Sequence, residues 1–516
     1  MNAYFLCLGS MACRLPHYCV VGGGISGLSS AYFLSLARPP GSYRLTVLEA
    51  SPRFGGWIQS IRNPNTGAVY ELGPHSARYG GPTSTILLRL ALSLDLQDSL
   101  LWMRSNQEAA KKYIYVDGRL VSISPFSLTA KTPFTRSPIG LLARKLFASR
   151  PAPKPDLSVD EFLRTRFDDE FADYLGSALM RGVYAGDSRE LSARACLPQL
   201  LRHEDDGPNL LLGILKDAAK PRSTNSVALP DVIDSKLPNT SSIVPSRTLA
   251  WSLQGGMQTL TEALCSRLRS VGPCVTMHRN APVRRIRRSG DRFTVHWTLD
   301  ATTEATIDDV DAVFLTCSSY QSTVILNELL PPVVLKRLKR EQLPWASVAV
   351  AVFEMDGKSA QPPVRGFGHL VPSTEDAHAL GVVYDSVAFP QLDGKQQSVR
   401  YTVMMKPYSY WLTSDRCSTK EIEGKALDVL KEHLSLSSPL VIASNVQLHR
   451  DCIPQYPLGH VENVKSVRSN ISELIQRSSQ RSTGIHLVGF SYDGVGLGDA
   501  VTSALRAVSA ELQLSA

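Results

Sequence analysis

The sequence predicts a mixed α/β fold in which a parallel-sheet domain is interrupted by inserted domains and completed by the end of the chain. Three observations predict it. A short apolar strand near residue 17 breaks into a glycine turn, a helix and a second strand. Signals of the same kind return at 248–316, after a long stretch of different character. The chain then ends on another glycine-rich strand-to-helix entry, at 485–512. Such returns are expected where one domain is inserted into another.

The first element is Tyr18-Cys19-Val20-Val21, an apolar run of the kind a buried parallel strand needs. It breaks into Gly22-Gly23-Gly24-Ile25-Ser26-Gly27, after which Leu28, Ala31, Tyr32 and Leu34 fall on or near one helical face. A second strand, Leu45 to Leu48, ends in Glu49. Gly22 permits the tight turn, Gly24 lets a pyrophosphate approach the backbone, and Gly27 lets helix and strand pack closely. The helix N-terminus offers unpaired N–H groups to the phosphates, and Glu49 is placed to accept from a ribose diol. A glycine triad alone is a weak signal; strand, triad, helix, strand and acid in order point to a dinucleotide. Two more motifs follow, Arg53-Phe54-Gly55-Gly56-Trp57 and Glu71-Leu72-Gly73-Pro74-His75, readable as ordinary turns or as a further wall of the same site.

At 516 residues the chain is too long for one simple core, and an apolar content of 43% is that of a folded protein. A formal net charge of +8 admits acidic ligands or an anionic membrane surface. There is no recognition motif or dense basic helix for nucleic acid. The nine cysteines, Cys7, Cys13, Cys19, Cys196, Cys265, Cys274, Cys317, Cys417 and Cys452, form no Cys-x-x-Cys pair, which argues against a structural zinc site or a disulfide framework. No apolar run is long enough to span a bilayer. The start of the chain, with Arg14 and no acid before His17, is compatible with an organelle-import extension or with an untidy gene start.

Along the chain, Leu87 to Leu101 reads as helical. From Gly118 to Pro155 there is no acidic residue, while Arg119, Lys131, Arg136, Arg144, Lys145, Arg150 and Lys154 alternate with Phe126, Phe134, Leu141, Leu142 and Phe147. That mixture suits a surface resting on anionic lipid, or else a solvated basic loop with a small helix inside it. Asp160 to Arg181 reads as a helix, and residues 220–247, rich in Ser, Pro, Thr and Asn, as a loop or disordered insertion. Dinucleotide-domain signals return at Trp251-Ser252-Leu253-Gln254-Gly255-Gly256-Met257, then a helix through Leu260, Leu264 and Leu268, Ala281-Pro282-Val283, and an apolar strand at Ala312 to Thr316. Runs at Ser347 to Phe353 and Val399 to Met405 suit strands of an open sheet. The chain closes with Ile485-His486-Leu487-Val488, the glycines Gly489, Gly494, Gly496 and Gly498, and a final helix from near Asp499.

Several of these stretches resemble the protoporphyrinogen oxidase family, part of the flavin amine oxidase-like superfamily. They are Val21 to Leu28, Gly55 to Ile58, Glu71 to Pro74, Arg181 to Gly186, Ser188 to Ser192, Gly366 to Pro372, Val383 to Pro390 and Tyr492 to Val495. The glycine fingerprint is shared across the superfamily; the middle and late stretches are not, and they resemble the animal mitochondrial branch most. The resemblance implies an FAD-binding Rossmann-like domain of p-hydroxybenzoate-hydroxylase type, with an inserted substrate domain and a helical membrane-binding domain. The implied division is 17–100 for the first part of the FAD domain, then 101–247 for a mostly helical membrane-binding region carrying the loop near 220–247. The second FAD part is 248–320, the substrate-binding domain 321–442, and the final FAD part 443–516.

The activity implied is oxygen-dependent oxidation of protoporphyrinogen IX to protoporphyrin IX in haem biosynthesis, with release of peroxide. One non-covalent FAD per chain is implied, since no cysteine follows Cys452. By the same resemblance the cofactor contacts would come from Gly22, Gly23, Gly24, Ile25, Ser26, Gly27, Glu49, Ala50, Arg53, Gly56, Trp57, Gly73, Pro74 and His75. Later in the chain they would come from Trp251, Val283, Gly489, Val495, Gly496 and Leu497. Phe367, Leu370 and Met404 would wall the substrate, and Gly182 would let its ring approach the backbone; base rates alone place such residues in ordinary core. Lys112 stands where the family often has a propionate-binding arginine, and His75 also replaces an arginine. No catalytic triad and no metal cluster is required. The implied setting is peripheral attachment to the mitochondrial inner membrane on its intermembrane-space side, with a homodimer and ferrochelatase as further partners. Rival readings are another FAD-dependent amine oxidase or desaturase, or a non-catalytic carrier of prenylated proteins on the same fold.

Overall fold

The computed structural model describes residues 14–123, 156–205, 229–240, 242–299, 302–376, 378–394, 397–413, 418–476 and 484–514. Strand β1 (His17–Val21) is buried at every position and pairs in parallel with β2 (Arg44–Leu48) on one side and Ala312–Leu315 on the other. Val275–His278 and Gly484–Leu487 complete a five-stranded parallel sheet. Strands buried on both faces need continuous apolar runs instead of alternation, which is what β1 and Ala312–Leu315 supply. Three separate stretches of the chain therefore meet in one sheet.

One face of that sheet is covered by α1 (Ile25–Ala37), α2 (Pro82–Ser93), Gln258–Ser270 and Leu497–Leu514, whose Leu28, Leu88, Leu264 and Val501 share a core. The helix α1 carries no charged residue and is buried along almost its whole length, so it is held by packing from all sides. The other face is covered by an antiparallel meander, Val283–Ser289, Arg292–Leu299 and Thr303–Val310, and by the helix His460–Gln476.

The second large sheet has seven strands in the order Val441–Pro454, Trp345–Asp356, Ser398–Met405, Ala379–Val383, Gly368–Leu370, Lys112–Val116 and Arg119–Ile123. All its pairings are antiparallel except that of Gly368–Leu370 with Lys112–Val116. The helix Thr419–His433 packs Ile422, Ala426 and Leu430 against Phe353, Tyr401 and Val403 of this sheet. Short helices between residues 159 and 205 form a separate cluster around Phe162, Met180, Tyr184 and Tyr456.

Several sequence expectations need correction. Residues 101–123 carry no α-helix, only a 3₁₀ turn at Glu108–Ala110: Leu100–Arg104 joins Thr248–Leu253 and Ala77–Arg78 in a small sheet, and the next two strands extend the substrate-side sheet. The strand Val441–Pro454 pairs with Trp345–Asp356, so the boundary at 443 falls inside the substrate-side sheet. Leu87 to Leu101 is α-helical only to Ser93, passes through a 3₁₀ turn at Gln97–Ser99, and then enters the strand. The single helix expected over Asp160 to Arg181 is three pieces, Val159–Arg166, a π-helical turn Phe171–Gly176, and Ser177–Tyr184. Stacking of Phe167 on Phe171 at 4.1 Å occupies the break. The described part of 220–247 contains a short helix, Asp231–Asp234, held to α2 by Arg89, which donates to Asp234 Oδ1 (2.7 Å) and to the Leu237 carbonyl (2.7 Å). Of the basic stretch Gly118 to Pro155, the part from 124 lies outside the described residues. Among the described residues no helix is long and apolar enough to cross a membrane.

Candidate active site

The turn after β1 is built so that only glycine fits. Gly22 has φ +107°, and a Cβ there would meet Thr316 Oγ1 at 2.6 Å. A Cβ on Gly27 would stand 1.9 Å from the Gly22 carbonyl oxygen, so α1 can begin this close to β1 only without a side chain. Gly24 differs: a Cβ there would have only Gly56 Cα within 4 Å, at 3.7 Å, and the rest of that direction is open. No side chain caps α1, so its first N–H groups and positive dipole end face the same opening.

Glu49 is fixed in place by two backbone donors, Gly23 N–H to Oε2 (2.6 Å) and Ser51 N–H to Oε1 (2.8 Å). The second glycine loop docks on the first: Gly55 N–H donates to the Gly23 carbonyl at 2.8 Å, and Gly24 and Gly55 form a parallel bridge. Arg53 clamps this loop from behind, donating to the Ile58 (3.0 Å) and Gly56 carbonyls. Gly73 crosses so closely that a Cβ would lie 2.0 Å from the Trp57 carbonyl oxygen.

These elements enclose a cavity of about 730 Å³, a size in the range for small-molecule and cofactor sites. Of the expected cofactor residues, Gly22, Gly24, Ile25, Ser26, Glu49, Ala50, Gly56, Trp57, Pro74, Val283 and Leu497 line it. A helix N-terminus, bare glycine backbone on two sides and an anchored carboxylate are the donor and acceptor set a dinucleotide needs, and the residues present fit a flavin dinucleotide. Sequence reasoning misses Thr316, Cys317, Arg284, Tyr320, Trp345, Phe490 and Ser491, which also line the cavity. Thr316 and Cys317 follow the third parallel strand, and ligands bind at the carboxyl ends of such strands, so its register is the signal that could have found them.

The remaining expected cofactor residues stand behind the wall. Gly23 and Arg53 hold Glu49 and the loop, and Gly27 and Gly73 serve close packing. Gly489, with φ +101°, lets the closing turn lie on Ser26, whose Oγ would be 2.6 Å from an added Cβ. Gly496 N–H donates to Asp499 Oδ2 at 3.3 Å, and Val495 packs with Phe162 and Tyr184. Trp251 is fully buried in the core because its strand is paired on both sides, with Ala77 and Trp102 opposite.

His75 is also set back from the cavity. Its Nδ1 lies 2.8 Å from Asp385 Oδ1, and Thr402 donates to Asp385 Oδ2 at 2.7 Å. Burial works against a charged His75, but Asp385 and Glu71 outweigh it and hold the imidazole above its ordinary pKa. Burial likewise opposes a charged Asp385, yet His75 and Arg400 hold it below the usual carboxylate range. Glu71, buried and accepting from Ser60 Oγ and Met257 N–H, both at 2.7 Å, is pushed by burial up to about 7. A small hollow between these groups is closed by Phe367, Phe389 and Arg400.

The expected substrate residues fall in two groups. Leu370, Gly381 and Met404 are register partners across three strands, so their positions share one face, and Gly381 is closely packed there: a Cβ would meet the His369 carbonyl oxygen at 2.6 Å and Leu370 Cδ2 at 3.2 Å. Gly182 lies against this row: a Cβ there would meet Leu370 Cδ2 at 2.4 Å. Phe367 belongs to a different cluster, with Val69, Met103, Ala250 and Phe389. Lys112 opens its strand beside Gly368 and is exposed to solvent, while desolvation by the surrounding protein and then the charge of Arg78 lower its pKa.

The chain matches the family of flavin containing amine oxidoreductases over residues 25–510. It is 34% identical to protoporphyrinogen oxidase of Homo sapiens over 496 residues, which covers 95% of this chain and 96% of the relative. It is 30% identical to protoporphyrinogen oxidase of Schizosaccharomyces pombe over 505 residues, covering 93% and 96%. Among solved structures, cyclohexylamine oxidase of Brevibacterium oxydans shares the fold with a TM-score of 0.63 at 15% identity, covering 97% of this chain and 99% of that one.

Proposed function

The chain belongs to the protoporphyrinogen oxidases within the flavin containing amine oxidoreductase family, and on that premise we infer that it oxidises protoporphyrinogen IX to protoporphyrin IX in haem biosynthesis with a bound flavin. The observation that carries this reading is the cavity of about 730 Å³ lined by residues from both ends of the chain, Gly24 and Glu49 at one and Leu497 at the other.

The flavin in this proposal is one FAD per chain, held without a covalent bond. Glu49 and the N-terminus of α1 supply the ribose and pyrophosphate contacts of a dinucleotide. Cys317, which lines the cavity, is kept protonated by burial, which pushes its thiol up to about 11, and a thiol is a poor nucleophile. When bound, the flavin supplies the oxidant, accepting a hydride from the electron-rich reduced ring. The chain positions the ring. Leu370 and Met404 wall it, while Gly182 and Gly381 let the Leu370 side chain seat directly against backbone and so fix that wall in place. Lys112 holds a propionate at the mouth. Arg53 and Glu49 keep the two glycine loops in register, so that the reacting edge meets the substrate at a fixed place. Molecular oxygen is the terminal acceptor in this reading and leaves as hydrogen peroxide.

Peripheral attachment to the mitochondrial inner membrane from the intermembrane space is part of the proposal, as are a homodimer and ferrochelatase as the partner that takes the product. The acid-free run Gly118 to Pro155 and the net charge of +8 support the membrane contact, because basic residues near an anionic surface attract it within a Debye length. Flotation with anionic vesicles should recover the protein at low salt and lose it at high salt; equal recovery without vesicles contradicts it. The activity itself is tested by adding protoporphyrinogen IX aerobically to the purified protein. Porphyrin fluorescence and peroxide should rise together, whereas turnover of simple amines in its place would favour the amine oxidase reading.

A further inference from the structure

We propose that Arg78 is a second carboxylate anchor, and that Arg78 and Lys112 form a two-cation clamp across Phe367 for two carboxylate arms on one edge of a flat ring. The assignment rests on the substrate reading above.

The two cations reach Phe367 from different sheets. Lys112 is the register partner of Gly368, the residue after Phe367, and the Phe367 N–H donates to the carbonyl of Lys111 at 2.8 Å. Arg78 comes from the small sheet, where Ala250 pairs with Arg78 on one side and with Met103 on the other. Directly paired residues project to the same face, so Arg78 stands at the edge of the face whose inner positions are Ala250 and Met103. Those two residues pack with Phe367 in one cluster. Phe367 is thus the apolar surface between the two positive groups.

Both side chains are exposed, and among the described residues neither makes a hydrogen bond or an ion pair. A neighbouring cation does have a partner: Arg365 lies 2.8 Å from Glu108. The charge of Arg78 reaches Lys112 strongly enough to lower its pKa, second only to burial. Two like charges close enough to act on one another repel each other in the free protein, and an anionic ligand relieves that repulsion. The guanidinium can take one carboxylate through both nitrogens, while the ammonium acts as a point charge on the other. Because the two groups sit on separate elements, they suit a ligand with two carboxylates better than one with a single carboxylate.

The test uses the flavin-loaded full chain with Arg78→Ala, Arg78→Lys, Lys112→Ala and the double variant. KM is measured with protoporphyrinogen IX and with its monomethyl and dimethyl esters, and product binding is followed separately by porphyrin fluorescence. Arg78→Ala should raise KM for the free acid several-fold, more than it lowers kcat, and weaken product binding by a similar factor. Arg78→Lys should recover part of the loss, which also guards against a misfolded alanine variant. With the dimethyl ester the effect of Arg78→Ala should vanish. An unchanged KM for the free acid, or an equal loss with the dimethyl ester, overturns the clamp alone. Failure of the unmutated protein to oxidise or bind any of these compounds overturns the substrate reading and the clamp with it.

Discussion

Gly24 and Gly56 meet backbone to backbone: a Cβ on Gly56 would stand 3.0 Å from Gly24 Cα, and Gly24 is bridged to the neighbouring Gly55. The two glycine motifs are therefore one structure, a pair of bare loops with no side chain between them and the cavity.

This contact separates two variants that look alike in sequence. In Gly24→Val the new Cβ meets ordinary van der Waals contact, so the fold should survive while the valine fills the space a pyrophosphate needs. In Gly27→Val the new Cβ would lie 1.9 Å from a carbonyl oxygen, so α1 cannot dock. We expect soluble, cooperatively unfolding but flavin-free protein from Gly24→Val, and little folded protein from Gly27→Val. Circular dichroism with visible absorbance checks both; flavin retained by Gly24→Val would remove Gly24 from the cofactor site.

Lys112→Ala should raise KM for protoporphyrinogen several-fold, more than it lowers kcat, because a remote carboxylate contact is made equally in ground and transition states. An exposed ion pair contributes on the order of 1 kcal/mol. Lys112→Arg should be tolerated. Lys111→Ala is the control, since Lys111 contributes its carbonyl to the Phe367 N–H and its side chain is exposed. A KM effect at Lys111 with none at Lys112 would reverse the assignment.

The buried His75–Asp385 pair should matter for stability. Asp385→Ala leaves an imidazole surrounded by protein without its carboxylate, and breaking such a pair costs about 3–5 kcal/mol. Because the folded pKa of His75 is raised, the pair's contribution is full below the unfolded value of 6.5 and is lost as pH rises through the folded one. Urea unfolding across that range should show the wild type losing its advantage over Asp385→Ala at high pH.

Glu71 gives a second pH signature. Its folded pKa of about 7 lies above the ordinary value of 4.5, so between these the native state binds more protons than the unfolded chain. Stability from this group therefore falls as pH rises through that window. Glu71→Gln removes that slope, and the difference between the two unfolding curves should grow from pH 4.5 to 7 in favour of the glutamine. A constant difference would show that Glu71 titrates normally.

What can be read from the sequence is local. Strand, turn, helix, strand and acid at the start are adjacent in the chain, and each residue type has one cause. The division implied by the family resemblance puts Lys112 in a mostly helical region, and nothing in Lys112 to Ile123 announces that it will pair with Gly368–Leu370, far along the chain. Arg53 illustrates the same limit: a cation beside a glycine pair invites a phosphate, yet its guanidinium is spent on loop carbonyls. Gly381 is silent because its meaning, a close approach to the His369 carbonyl and the Leu370 side chain, exists only in the register of the strands.

A flavin held over the Gly24–Gly56 contact should oxidise a reduced tetrapyrrole. The most direct measurement is the visible spectrum of the purified protein, recorded before and after anaerobic addition of protoporphyrinogen IX and again on admitting air. Oxidised-flavin bands should be present at the start, bleach when the substrate is added, and return in air as porphyrin accumulates. A protein that stays colourless after incubation with FAD, or a flavin spectrum that protoporphyrinogen leaves unchanged, would contradict it.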